Sequence, residues 1–173
     1  MKKLIIILIV LVAALGIFFA FNSYIYNEKQ APTVSDYKDV EFLLDGTKAK
    51  IGGTIKYFGN ELSMDLDLDG REDKVFLITH SPGGSGTFYY VVGAVATDKG
   101  YVGTDAVLLG DRIAPQTTEK GIHPGVVVVN YAERLPSEPF TTAPSHAKSL
   151  WLKLDVPSMR FGEVAVNFEG ESR

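Results

Sequence analysis

Beyond residue 22 no stretch carries apolar side chains at the i, i+3, i+4, i+7 spacing for a dozen residues, the pattern a core-facing helix requires. The chain offers short runs rich in Val, Ile, Tyr and Phe instead, separated by Gly, Pro, Asp and Asn. They are Val40 to Leu44, Thr47 to Ile51, Thr54 to Phe58, Lys74 to His80, Thr87 to Thr97, Ala106 to Leu109, Val126 to Tyr131 and Leu150 to Leu154. Such runs read as strands. Asp45-Gly46 lies between two of them and signals a tight hairpin, and Asp98-Lys99-Gly100 signals a second turn. From Thr87 to Val95 both faces are apolar, with Phe88, Tyr90 and Val92 on one and Tyr89, Val91 and Val95 on the other. That pattern suits a central strand packed on both sides. The expected fold is all-β, an antiparallel sandwich or small barrel. An α+β fold is the alternative, since Pro144 to Lys153 suits a helical turn ahead of its strand. Glu163 to Phe168 alternates like an edge strand before a polar tail.

The N-terminus differs in kind. Leu4 to Phe21 is 18 residues without a charge, and at about 1.5 Å per residue it spans about 27 Å, close to the hydrocarbon thickness of a bilayer. Lys2 and Lys3 precede it and no basic residue follows until Lys29. By the positive-inside rule the short N-terminus is then cytoplasmic and the rest lies across the membrane. A cleaved signal peptide is the competing reading, but Ile17, Phe18, Phe19 and Phe21 continue the apolar run where a cleavage site needs small residues and a polar break. The expected organisation is a transmembrane anchor over residues 1–22, a tether over 23–39 that includes Pro32, and an exported β-rich domain over 40–173. The localisation is the cytoplasmic membrane, single-pass, with the domain periplasmic or extracellular.

Charge and composition narrow the partners. Without Lys2 and Lys3, 15 basic residues stand against 21 acidic ones, so the exported part lacks the basic face that nucleic acid requires. The chain has no cysteine, so in an oxidising compartment no disulfide supports the fold. Stability must come from packing or from a bound ion.

The sharpest motif is Asp65-Leu66-Asp67-Leu68-Asp69-Gly70-Arg71-Glu72-Asp73, which runs directly into the strand at Lys74. Its carboxylates take positions one, three, five and nine around a glycine at six, the spacing with which a coiling loop surrounds calcium. Asp65, Asp67 and Asp69 converge, Gly70 permits the sharp turn, Arg71 offers its backbone carbonyl, and Asp73 closes the shell directly or through water. Position twelve, where a helix-loop-helix hand carries a bidentate Glu, is Phe76. The motif is therefore no EF-hand. The bland reading, an acidic turn that binds nothing, leaves four like charges within nine residues without compensation.

Over Met64 to Ile78 the motif resembles the calcium loop of FG-GAP repeats, the blades of integrin-type propellers, where D-x-D-x-D-G-x-x-D leads into a strand. The resemblance implies calcium ligands at Asp65, Asp67, Asp69, Asp73 and the Arg71 carbonyl. The chain departs from that pattern at Leu68, where such loops often carry glycine, and has one copy where a propeller needs several. Three further blocks, Ser81 to Val92, Leu108 to Gln116 and Val129 to Phe140, are similar to segments of exported bacterial proteins that carry no established activity. That likeness implies a bacterial envelope origin.

Other candidates are weaker. Gly83-Gly84-Ser85-Gly86 with His80 nearby invites a nucleophilic serine, yet a G-x-S-x-G elbow needs glycine where Thr87 stands. A flexible loop is the plainer reading. His80, His123 and His146 have no zinc-type spacing. Asp111-Arg112 and Glu133-Arg134, with Gln116, Asn130 and Tyr131, suggest a polar pocket or, more plainly, exposed ion pairs. Tyr89, Tyr90, Tyr131, Phe140 and Trp151 are stacking platforms or core residues. The expected function is a membrane-anchored envelope protein whose calcium-stabilised β-domain is a binding or structural module. No catalytic residue is assigned, and the ligand class is an envelope protein or polysaccharide. The alternative is an envelope hydrolase using Ser85 and His80, or a water activated by metal at the Asp cluster.

Overall fold

In the computed structural model of the chain, which describes residues 34–165 together with Gly16, every strand pairing is antiparallel. A short 3-10 turn, Tyr37–Asp39, precedes eleven strands. These are β1 (Phe42–Leu44), β2 (Thr47–Ala49), β3 (Ile55–Met64), β4 (Asp73–His80), β5 (Phe88–Thr97), β6 (Gly100–Gly103), β7 (Val107–Asp111), β8 (Ala114–Lys120), β9 (Val126–Glu133), β10 (His146–Asp155) and β11 (Arg160–Glu163). They form a five-stranded sheet, β3-β4-β5-β6 with β7 also on β5, a four-stranded sheet, β11-β10-β9-β8, and the β1-β2 hairpin. Residues 34–165 are all-β, without an α-helix. The apolar run from Leu4 to Phe21, apart from Gly16, and residues 22–33 lie outside the described residues, as do residues 166–173. Among the described residues no helix is long and apolar enough to cross a membrane.

Strands β4 and β5 are buried on both faces, as the two-faced apolar pattern of Thr87 to Val95 leads one to expect. Val75, Leu77, Val91 and Val95 pack with Val127, Val129, Tyr131, Leu152 and Leu154 of the four-stranded sheet in one core cluster. Phe76, Ile78, Tyr90, Val92 and Ala94 point the other way and pack under Val40, Phe42 and Leu44. The side-chain period of two delivers alternate residues to the two cores. Gly93 faces the first core, where an added Cβ would lie 3.0 Å from Thr104 and 3.1 Å from the Phe161 ring. A side chain here would hold the two sheets apart.

Asp45 and Gly46 both have positive φ, 51° and 79°, as a two-residue primed hairpin turn needs. Five strands differ from expectation. β6 follows the Asp98-Lys99-Gly100 turn without an apolar run of its own, and β11 ends at Glu163, so Val164 and Ala165 of the expected edge strand Glu163 to Phe168 are not strand and its remainder lies outside the described residues. β8, with sequence APQTTEK, is an edge strand held by its ladder to β9, and its register shift between Pro115 and Thr117 accommodates the missing proline N–H. β3 runs on past Phe58 to Met64 through a bulge at Gly59 and Asn60, and the Asn60 amide donates to the Gln116 carbonyl at 3.1 Å, tying the edges of the two sheets. β10 begins at His146, so the region Pro144 to Lys153 is strand where a helical turn was the alternative. Its ladder to β9 supplies pairing that a lone helical turn lacks.

The packed chain already includes Val34, which bridges to Gly100, and Tyr37. Tyr37 donates to the Glu61 carboxylate at 2.5 Å and Tyr57 donates to the same oxygen at 2.8 Å, while the Lys38 ammonium lies 4.2 Å over the Tyr57 ring. The hydrogen bond to Glu61 and burial push Tyr37 up to about 12, and burial and the same carboxylate push Tyr57 up to about 12. The Tyr37 bond lowers Glu61 below its ordinary 4.5. This clasp fastens the start of the domain to β3.

Two outcomes follow. Phe76→Ala removes a fully buried ring from the second core and should cost about 3–5 kcal/mol in urea unfolding, whereas Leu108→Ala, at an exposed position, should cost less than about 1 kcal/mol. In a tyrosinate absorbance titration, Glu61→Gln should return Tyr37 and Tyr57 from about 12 towards 10.0. The raised tyrosines lend stability that is full below pH 10.0 and lost as pH climbs through about 12, and the lowered Glu61 lends stability that is full above 4.5 and lost as pH falls. The melting difference between the two proteins should therefore be widest between those limits.

Candidate metal centre

The β3–β4 connection coils because two residues take left-handed backbone, Leu68 at φ 63° and Gly70 at φ 90°. Leu68 does so where the resembled loops have glycine, and its side chain stays exposed. The turn is held by carboxylates gripping backbone N–H groups. Asp65 accepts from Asp69 at 3.1 Å and from Gly70 at 2.9 Å, Asp67 accepts from Asp69 at 3.3 Å, and Asp69 accepts from Arg71 at 2.8 Å.

Asp73 is the deepest of the four, with 0% exposure. One oxygen accepts the Leu66 N–H at 2.7 Å and the other accepts the Ala96 N–H at 2.7 Å. It thus joins the loop to the end of β5. Burial pushes its carboxyl above the usual range, and the charges of Asp67 and Asp69 add to this. Asp67 is likewise raised, first by burial and then by Asp69 and Asp65.

One carboxylate oxygen from each of Asp65, Asp67 and Asp73 comes within 4.8 Å of the others. Asp69 turns instead to the Arg71 guanidinium, which also donates to Asp98 at 2.5 Å. The Arg71 N–H bond and that guanidinium hold Asp69 below the usual carboxylate range. The sequence reading therefore finds three of its carboxylates together and the fourth engaged by a counter-charge. Three carboxylates with oxygens this close suit a hard divalent cation, which takes oxygen ligands.

A cleft of about 270 Å³ adjoins the loop, lined by Met64, Asp65, Leu68, Ile122, His123 and Gly125 among others. Its far wall is the β8–β9 turn, which the sequence does not place beside the loop. Gly125 permits the contact, because an added Cβ would lie 3.1 Å from the Leu66 carbonyl.

The remaining candidates separate. His80 pairs with Phe88 at the ends of β4 and β5, and Ser85 lies in the loop between them. Among the described residues no hydrogen bond joins Ser85 to His80 or to a carboxylate. The nearest hydroxyl pair in that loop is Ser81 with Thr87 at 3.5 Å. The three histidines form no metal-holding group with each other or with carboxylates among the described residues. Tyr131 is in the core while Asn130, its neighbour, faces outward and donates to Thr117 and Glu119. The two side chains thus point to opposite sides of the sheet. Tyr90 is also core, and Phe140 is exposed. No family model matches the chain, and no curated protein or solved structure matches it at a significant level.

The double role of Asp73 separates it from its neighbours in chelator-treated protein. Asp73→Ala orphans two N–H donors, one of them on buried Leu66, and should cost about 2–5 kcal/mol in urea unfolding. Asp67→Ala, which loses one long contact, should cost less than about 1 kcal/mol. Equal losses would show that Asp73 does not carry the loop.

Proposed function

We propose that this chain is a membrane-anchored protein of a bacterial cell envelope, held by a single N-terminal transmembrane helix over residues 4–21, with its β-domain on the periplasmic or extracellular side. The domain is a calcium-stabilised binding or structural module. The carrying observation is the convergence of Asp65, Asp67 and Asp73 within 4.8 Å on a coiled loop that leads into the central sheet. Asp69 and the Arg71 carbonyl complete the set that the FG-GAP resemblance implies. Asp69 would join the ion only by giving up its bond to Arg71, which would keep Asp98 as its counter-charge.

Calcium here is structural. It would relieve the mutual repulsion of half-buried Asp67 and buried Asp73, and so bind the native state in preference to the unfolded one. The partner is an envelope protein or polysaccharide, consistent with an exported acidic domain without a basic face. The serine form of the hydrolase reading draws no support from Ser85 and His80, which share no hydrogen bond, and the form that uses a metal-activated water at the Asp cluster is the second reading.

Calorimetric titration of the full-length chain in detergent, with melting followed in parallel, tests this. Calcium at about 100 times its Kd should stabilise the domain by about 2.7 kcal/mol and raise the melting temperature by several degrees. Magnesium should do so far less, and Asp67→Ala should abolish the rise. Equal melting in calcium and in chelator would overturn the reading.

A further inference from the structure

The other end of the sheets carries a cationic site that owes nothing to the Asp loop. Strand β7 ends at Asp111, β8 begins at Ala114, and Arg112 between them has φ 47°, a left-handed backbone that bulky residues rarely adopt. The surroundings over-determine it. The Arg112 N–H donates to the Thr87 carbonyl at 2.7 Å, and its carbonyl accepts from Arg134 Nη1 at 2.8 Å. That backbone sends the side chain back over Asp111, to which Nε donates at 3.1 Å and Nη2 at 2.7 Å.

The Arg134 guanidinium thus lies against the Arg112 backbone, while the Arg112 guanidinium lies on the Asp111 carboxylate. Arg134 spends Nε on the Thr142 carbonyl and Nη1 on the Arg112 carbonyl, and among the described residues no carboxylate lies within 4.0 Å of it. Its neighbour Glu133 is paired with Lys148 at 3.0 Å. Arg112 Nη1 and Arg134 Nη2 make no hydrogen bond to the described residues. Phe140 lies with its ring 3.8 Å from the Arg112 guanidinium and is 65% exposed. Two neighbouring, half-buried arginines with one surplus charge, unused donors and an exposed aromatic ring suit an anion with a flat or apolar body.

We propose that Arg112, Arg134 and Phe140 bind a carboxylate attached to a ring, the carboxylate on the free guanidinium donors and the ring against Phe140. One surplus positive charge matches a singly charged carboxylate. A doubly charged phosphate would bring excess negative charge beside Asp111. Asp111 is a positioning residue here: it accepts the Thr87 N–H at 2.8 Å and holds the Arg112 fork in place.

The test follows the arginine side-chain N–H resonances of the full-length chain in detergent, titrated with benzoate, acetate, benzamide or inorganic phosphate. Benzoate should shift Arg112 and Arg134 saturably, and benzamide, which lacks the charge, should not. Arg134→Lys should weaken benzoate about tenfold or more, since a point charge replaces the fork. Phe140→Ala, a change at an exposed side chain, should reduce benzoate to the affinity of acetate. Equal shifts with benzamide, a non-saturating response to benzoate, or tighter binding of phosphate would each overturn the assignment. Should Arg134→Lys fail to fold, the wild-type titrations and Phe140→Ala decide the matter alone.

Discussion

The two-sided burial of β4 and β5 is the constraint on which the rest depends. A sheet with one buried face can vary on the other, but these strands have no solvent face over most of their length. Phe76 and Ile78 need a cover, and the β1-β2 hairpin with Val40 provides it. Val75, Leu77 and Val91 need another, and the four-stranded sheet provides that. At roughly 25 cal/mol per Å² of apolar surface, this double burial is the dominant favourable term in a chain without cysteine. A one-residue slip of β4 against β5 would exchange the two sets of side chains, so register and layer order are settled together.

Asp73 connects that core to the acidic loop. It opens β4, is fully buried, and gives both oxygens to backbone N–H groups from different segments. A buried carboxylate that accepts two such bonds is satisfied, but it remains costly to ionise. Its neighbours Asp65 and Asp67 deepen the cost. The loop is therefore strained by charge and anchored by geometry, the condition in which a cation acts on stability rather than on shape alone.

The two ends of the sheets present opposite chemistry. At one, carboxylates gather around a coiled turn beside an apolar cleft. At the other, Arg134 and Asp111 hold a left-handed Arg112 beside Phe140. Both are built on short connections from rigid strands, and loops so placed hold polar groups accurately while leaving them open to solvent. Arg112 and Leu68 are alike in this respect. Each is a bulky residue in left-handed backbone, held there by hydrogen bonds at or beside it.

Short, two-faced apolar runs rich in β-formers at Lys74 to His80 and Thr87 to Val95, and the Asp45-Gly46 turn, are local signals, and by themselves they determined the all-β class and the central strands. The approach of Asp65, Asp67 and Asp73 was legible as well, because the spacing of side chains along a coiling loop fixes which of them come together. Edge strand β8 was not legible: its sequence is polar, and its ladder to β9 is what makes it a strand. Nor was the division of labour within the loop. Asp98 lies 27 residues beyond Arg71, and only folding brings it close enough to share that guanidinium with Asp69. Likewise Arg112 and Arg134 are 22 residues apart, and pairing of β7 with β5 and of β8 with β9 makes them neighbours. What depends on backbone period or turn chemistry is written locally in the sequence. Which charge answers which was decided by the tertiary structure, because electrostatic partners are set by distance in space.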